Sequence, residues 1–150
     1  MRRIIIAAAL ALGACRSSSR PIPGGLTVPG APTPRAAVEQ FMTAVRLGDL
    51  QALASVWGTV DGPARDNPKL SREELEKRSL IMQRCYQHDS FRILGENAGE
   101  GGARMIDVEI SMGMVRRVPH FRTVLAKSER WYVEDADILA VRDLCGEPPR

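Results

Sequence analysis

The chain has 150 residues, which supports one domain, and its 21 Lys and Arg against 18 Asp and Glu give a formal charge of +3. Its pI near 9.0 makes no case for nucleic-acid binding, because it contains no Lys/Arg run of the needed length. The longest apolar run near the start falls well short of the roughly 20 residues that span a bilayer.

That run, Ile4 to Leu12, follows a short positive segment, Met1-Arg2-Arg3. The pair has the make-up of a secretory leader. It ends in Leu12-Gly13-Ala14-Cys15, which resembles the lipobox of bacterial lipoproteins. The ordinary alternative is a leader cut near Ala14 with Cys15 merely adjacent. The resemblance implies cleavage after Ala14, leaving residues 1–14 as signal peptide, and acylation of Cys15 with two or three fatty-acyl chains such as palmitate. One chain alone gives only marginal membrane binding, on the order of 10⁴ M⁻¹, so several chains imply lasting attachment. The expected location is the bacterial cell envelope, facing the periplasm or exterior, and Arg16 after the cysteine leans toward the outer membrane. Cleavage also removes Arg2 and Arg3 and no acid, so the 21 basic residues fall to 19 against 18 acidic ones.

With Cys15 acylated, the three cysteines become two. An even pair in an oxidising compartment suggests a disulfide between Cys85 and Cys145. Two free thiols are the competing reading. So is a zinc site of Cys85, His88, His120 and Cys145, although this spacing matches no known finger. No metal and no cofactor are expected.

Residues 15–34 read as the lipidated cysteine and a tether. Arg16 to Pro34 holds Ser17-Ser18-Ser19, five prolines, and Gly24, Gly25 and Gly30. Without apolar periodicity it cannot bury enough surface to offset its ordering entropy. As a flexible coil it spans about 25 Å, and as polyproline II roughly 60 Å. A Pro-rich recognition motif is the alternative.

The domain is expected over residues 35–150. Thr33-Pro34 reads as an N-cap and first-turn proline. Val38, Phe41, Met42 and Val45 then fall at helical spacing. Gly48 suits the left-handed position that ends a helix, and Asp49 caps a second one carrying Leu50, Leu53, Ala54 and Trp57. Gly58 to Leu70 reads as a loop. Ser71-Arg72-Glu73-Glu74 forms a capping box that opens a third helix, to about His88. Phe91 to Leu94 is a short strand, and Gly95 to Gly102 a hairpin loop. A phosphate cradle in that Gly-rich stretch lacks the helix start it requires. Arg104 to Met114 alternates, with Ile106, Val108, Ile110 and Met112 on one face. Arg116 to Pro119 turns the chain, His120 to Lys127 is a strand, and Trp131 to about Val141 a last one. Helices followed by an antiparallel four-stranded meander make an α+β domain.

Val38-Glu39-Gln40-Phe41, Leu47-Gly48-Asp49-Leu50 through Trp57, and Arg130-Trp131-Tyr132-Val133-Glu134-Asp135 together resemble nuclear-transport-factor-2-like domains, the SnoaL-like or cystatin-like superfold. The resemblance covers about residues 35 to 142. It implies N-terminal helices packed on a curved sheet that forms a cone with a pocket at its open end. That fold hosts isomerases, dehydratases, cyclases and binding proteins, so it does not define a function.

The enzymes of that group place an acid inside the cone, often beside a His or Tyr. Here the candidates are Asp135, Asp137 and His120, with Tyr132. Strand parity sets Tyr132 opposite to Asp135, so those two are expected to face apart. The leading expectation is a non-catalytic envelope lipoprotein that binds a small apolar ligand or an envelope protein. The alternative is a cofactor-free acid/base enzyme of isomerase or dehydratase type, which needs a carboxylate of tuned pKa in the cone. His88 reads ordinarily as a helix-end residue and His120 as a strand residue. Arg116, Arg117, Arg122, Lys127 and Arg130 gather around one hairpin. They are expected to pair with Asp107, Glu109 and Glu134 or to be solvated, and otherwise to meet anionic headgroups or an acidic partner.

Overall fold

A computed structural model describes residues 28–146. The leader, Cys15 and the first part of the tether lie outside them. The helices begin where the caps place them. Thr33 Oγ1 accepts from Ala36 N at 3.1 Å and opens α1 (Pro34–Leu47). Val38, Phe41, Met42 and Val45 are fully buried. Gly48 ends the helix at φ 67°, and Asp49 Oδ1 accepts from Ala52 N at 2.9 Å to open α2 (Leu50–Val56). Trp57 is not the last apolar position of that helix. It is extended backbone that bridges Val133. Ser71 Oγ accepts from Glu74 N at 3.1 Å and opens α3 (Arg72–Cys85). Glu74 does not reach back to complete the box; its carboxylate takes Arg78 at 2.7 Å. The helix ends at Cys85, short of His88.

The stretch expected as a loop after Trp57 contains a two-stranded ribbon, β1 (Gly58–Thr59) and β2 (Gly62–Pro63), and a 3-10 turn over Ala64–Asp66. The main sheet is antiparallel and has five strands rather than four: β3 (Ser90–Ala98), β4 (Arg104–Met112), β5 (Val115–Arg117), β6 (His120–Leu125) and β7 (Trp131–Ala136). Its order is β3-β4-β6-β7, with β5 paired to the C-terminal end of β4. The Gly-rich stretch is strand as far as Ala98. A bulge at Leu94 resets the register so that Gly95 opposes Asp107 and Ala98 opposes Arg104. Only residues 99–103 remain as the connection. Arg116 and Arg117, expected in a turn, pair with Ser111 and Ile110. The final strand stops at Ala136, and Leu139–Cys145 is a 3-10 helix. The architecture is therefore α+β, with helices against an antiparallel sheet.

The core lies between α1 and the face of β4 that carries Ile106, Val108 and Ile110, all fully buried. At its centre the rings of Phe41, Tyr86 and Phe121 meet pairwise at 5.4–5.7 Å between centroids, the distance that edge and tilted aromatic pairs favour. Cys85 and Cys145 lie at disulfide-bonding distance and join the C-terminal 3-10 helix to the end of α3. That helix buries Val141 and Leu144.

The tether, expected to run through Pro34, is folded by Gly30. Ala31 N donates to Trp131 O at 2.9 Å, and Trp131 N donates back to Ala31 O at 2.8 Å. Gly30 N donates to Ser55 O, and the Arg130 guanidinium donates to Gly30 O at 2.8 Å. This segment and Trp57 pair along the edge of β7 that β6 leaves open, where bare N–H and C=O groups otherwise invite another strand. Gly30 has φ +73°, and a Cβ there would meet Tyr132 Cζ at 2.7 Å and Arg130 Cβ at 2.9 Å. Left-handed backbone and contact combine against any side chain. Gly30→Ala is expected to lower unfolding stability by on the order of 2–3 kcal/mol. An unchanged urea midpoint would show that the docked segment contributes nothing.

Candidate functional site

The four residues expected to carry chemistry do not converge. His120 stands at the start of β6 opposite Asp107, with Nδ1 at 2.6 Å from Asp107 Oδ1. Asp107 alternates with Ile106 and Val108, so this pair lies on the face away from the core. The imidazole is half-exposed, and Asn97 Nδ2 donates to the other carboxylate oxygen at 3.4 Å. Asp137 accepts from Ala140 N at 3.2 Å and braces the turn into the C-terminal helix. Tyr132 is buried, with its ring against the backbone of Gly30 and Gly58. Asp135 is exposed.

The expected opposition of Tyr132 and Asp135 is overturned by a bulge. Tyr132 opposes Val124, Val133 opposes Thr123, and Asp135 opposes Arg122, which leaves Glu134 as the extra residue. Val124 and Arg122 share one parity of β6, so Tyr132 and Asp135 fall on the same face. They still form no pair: Tyr132 sits under the docked segment, and Asp135 lies at the rim of a cleft farther along the strand.

That cleft, of about 280 Å³, opens between α3 and β7. Its apolar walls are Trp57, Ile81, Met82, Val133, Ala136 and Ile138, with Arg78, Glu134 and Asp135 also lining it. Tyr86 lines it too, and its hydroxyl is buried without a hydrogen-bond partner. Burial, then the charges of Asp137 and Asp135, push the phenol pKa up, so the group stays a neutral donor and acceptor. A buried hydroxyl without a partner costs about 1–3 kcal/mol. A larger hollow of about 450 Å³ lies along the β1–β2 ribbon and the turns after it, including Asp61, Asp66 and Lys69. None of the buried unpartnered polar groups lines it.

Among the described residues no carboxylate is buried, so none carries the low-dielectric environment that tunes an acid/base residue. Besides the tyrosines, the buried titratable group among the described residues is His88, whose Nδ1 lies 2.9 Å from Tyr86 O and whose Nε2 has no partner. Its ring packs edge-on to Phe91, and burial pushes its pKa down. The zinc alternative is not assembled. Its two cysteines are bonded to each other, its two histidines are engaged separately, and the described residues hold no group of three or more such ligands.

The basic residues of the hairpin region separate into pairs. Arg122 Nε donates to Glu134 at 2.8 Å, Lys127 to Asp61 at 3.2 Å, and Arg130 to backbone carbonyls of the docked segment. Arg117 donates to Asp143 through two nitrogens, and that guanidinium holds the Asp143 carboxyl below its usual range. Glu109 and Asp107, expected as partners of the hairpin arginines, take Arg92 and His120 instead. The role of Ile81, Met82 and Tyr86 as cleft wall was not legible in the sequence, because it depends on β7 standing opposite. No protein-family model matches the chain, and no curated protein matches it significantly.

Proposed function

We propose that this chain is an envelope lipoprotein anchored through Cys15, whose nuclear-transport-factor-2-like domain binds a small apolar ligand without transforming it. The observation that carries the reading is the cleft: six apolar side chains and a buried Tyr86 hydroxyl with no partner of its own. Pockets of this kind take their affinity from apolar area and their orientation from a few polar groups. The ligand is a compact apolar molecule with one hydrogen-bonding group for Tyr86. The helices-on-sheet architecture supports the cone-like reading of the fold, with the cleft as its open end. The enzyme alternative is weakened by the dispersal of Asp135, Asp137, His120 and Tyr132 and by the exposure of Asp135.

The test uses the chain from Arg16 onward, which keeps every described residue, and N-phenyl-1-naphthylamine as an uncharged apolar probe. The parent chain is expected to bind it saturably. Ile138→Trp, on the half-exposed rim, should weaken binding about tenfold, the effect of roughly 1.4 kcal/mol. Tyr86→Phe should raise unfolding stability by about 1 kcal/mol, because it removes an unpartnered buried group, while weakening the probe severalfold. Binding absent from the parent, or indifferent to both changes, rejects the cleft as a binding site.

A further inference from the structure

We propose that the β4–β5 hairpin is a second membrane contact, whose apolar tip enters the headgroup layer of an anionic bilayer while Arg116 meets its phosphates. The hairpin is braced. Gly113 turns the chain at φ 57°, its N–H donates to Asp89 Oδ2 at 2.7 Å, and Asp89 N donates to Ser111 O at 2.9 Å. The connection Met112-Gly113-Met114-Val115 has no polar side chain, where hairpin turns ordinarily carry Asn, Asp or Ser. Met114 is fully exposed, and Val115 and Val118 are 37% and 42% exposed. The buried stripe Ile106, Val108, Ile110 thus runs on through Met112 to Val115 opposite it, past the helices that cover the rest.

The charges beside the tip select the partner. Asp89 is engaged by Gly113 N, and Asp143 by Arg117. Arg116 has no ion pair among the described residues. An apolar tip beside a free guanidinium group is complementary to an anionic lipid surface, where such a cation adds about fivefold to binding.

The geometry permits it. The docked segment meets Trp131, which opposes Leu125, beyond the Arg104 end of β4, and the hairpin leaves the Met112 end. The nine residues of β4 separate those ends by about 30 Å. The thirteen residues from Arg16 to Val28 extend to at most about 45 Å. A domain lying on its side therefore reaches one bilayer with both its tail and its hairpin.

The experiment is cosedimentation of the chain from Arg16 onward with vesicles of phosphatidylglycerol and phosphatidylethanolamine, or of phosphatidylcholine alone. It needs neither the lipid anchor nor the cleft, so its failure is separate from theirs. Binding is expected to the anionic vesicles only and to fall with added salt. Met114→Asp should weaken it about tenfold or more, and Arg116→Ala about fivefold, with unchanged melting temperatures because both side chains are exposed. The proposal is overturned by absent binding, by equal binding to both vesicles, or by indifference to both substitutions.

Discussion

The double variant Cys85→Ala with Cys145→Ala is expected to lose about 4 kcal/mol of unfolding stability. The bond spans a sequence separation of 60 residues, and restricting the unfolded chain over a loop of that size contributes roughly this amount. For a domain of this size the melting temperature should fall by on the order of 10–20 °C. The native contacts point the same way. Cys85 is buried at the end of α3, and the segment it holds inserts Val141 and Leu144 into the core. Once released, that segment retains few other ties, among them Arg117 to Asp143 and the Asp137 cap on Ala140. Ile138 precedes it and lines the cleft, so probe affinity should fall along with stability. Urea unfolding with and without reductant measures the effect. A loss below about 1 kcal/mol, or two free thiols in the unreduced protein, would refute the cross-link as a principal support.

What was legible in the sequence was local. Thr33 reaching Ala36, Asp49 reaching Ala52 and Ser71 reaching Glu74 each span three residues, so caps and helix starts follow from neighbouring side chains alone. The alternation of Ile106, Val108 and Ile110 likewise marks its own buried face. Two bulges were not legible. At Leu94 and Glu134 an extra residue is accommodated against the adjoining strand of the same hairpin, and nothing at either position announces it. The first carried β3 through a stretch whose glycines argued for a loop. The second brought Asp135 onto the parity of Tyr132. The Arg122–Glu134 pair fits the cross-strand pairing expected of the hairpin arginines, whereas Arg117 reaches Asp143 in the C-terminal 3-10 helix and Arg130 reaches backbone carbonyls, partners that no strand pattern indicates. The cleft was invisible for a related reason: the missing partner of the Tyr86 hydroxyl is a property of everything packed around it.

Cys15→Ser is expected to abolish stable membrane attachment. Cys15 lies outside the described residues, and the expectation comes from Leu12-Gly13-Ala14-Cys15 together with the chemistry of acylation. Acylation needs the thiol, and serine cannot form the thioether. On the proposed reading the lipoprotein peptidase then has no substrate, and the chain is expected to accumulate with its leader uncut or to be cut by the ordinary signal peptidase and released. Multiple acyl chains hold against salt and against alkaline washing, because the apolar area of each contributes about 0.8 kcal/mol per buried CH₂. The hairpin contact differs in kind. It is electrostatic in part, so any residual Cys15→Ser protein held by Met114, Val115 and Arg116 should leave the membrane as added salt screens the surface. The two contacts separate in one experiment. Parent chain should stay with membranes after both washes, processed Cys15→Ser chain should be retained only at low salt, and Cys15→Ser with Met114→Asp should not be retained at all. Intact mass of the parent should carry the added acyl groups on the fragment that begins at residue 15. A Cys15→Ser chain that is cut at the same bond and resists both washes would remove the acyl anchor as what holds this domain at a membrane.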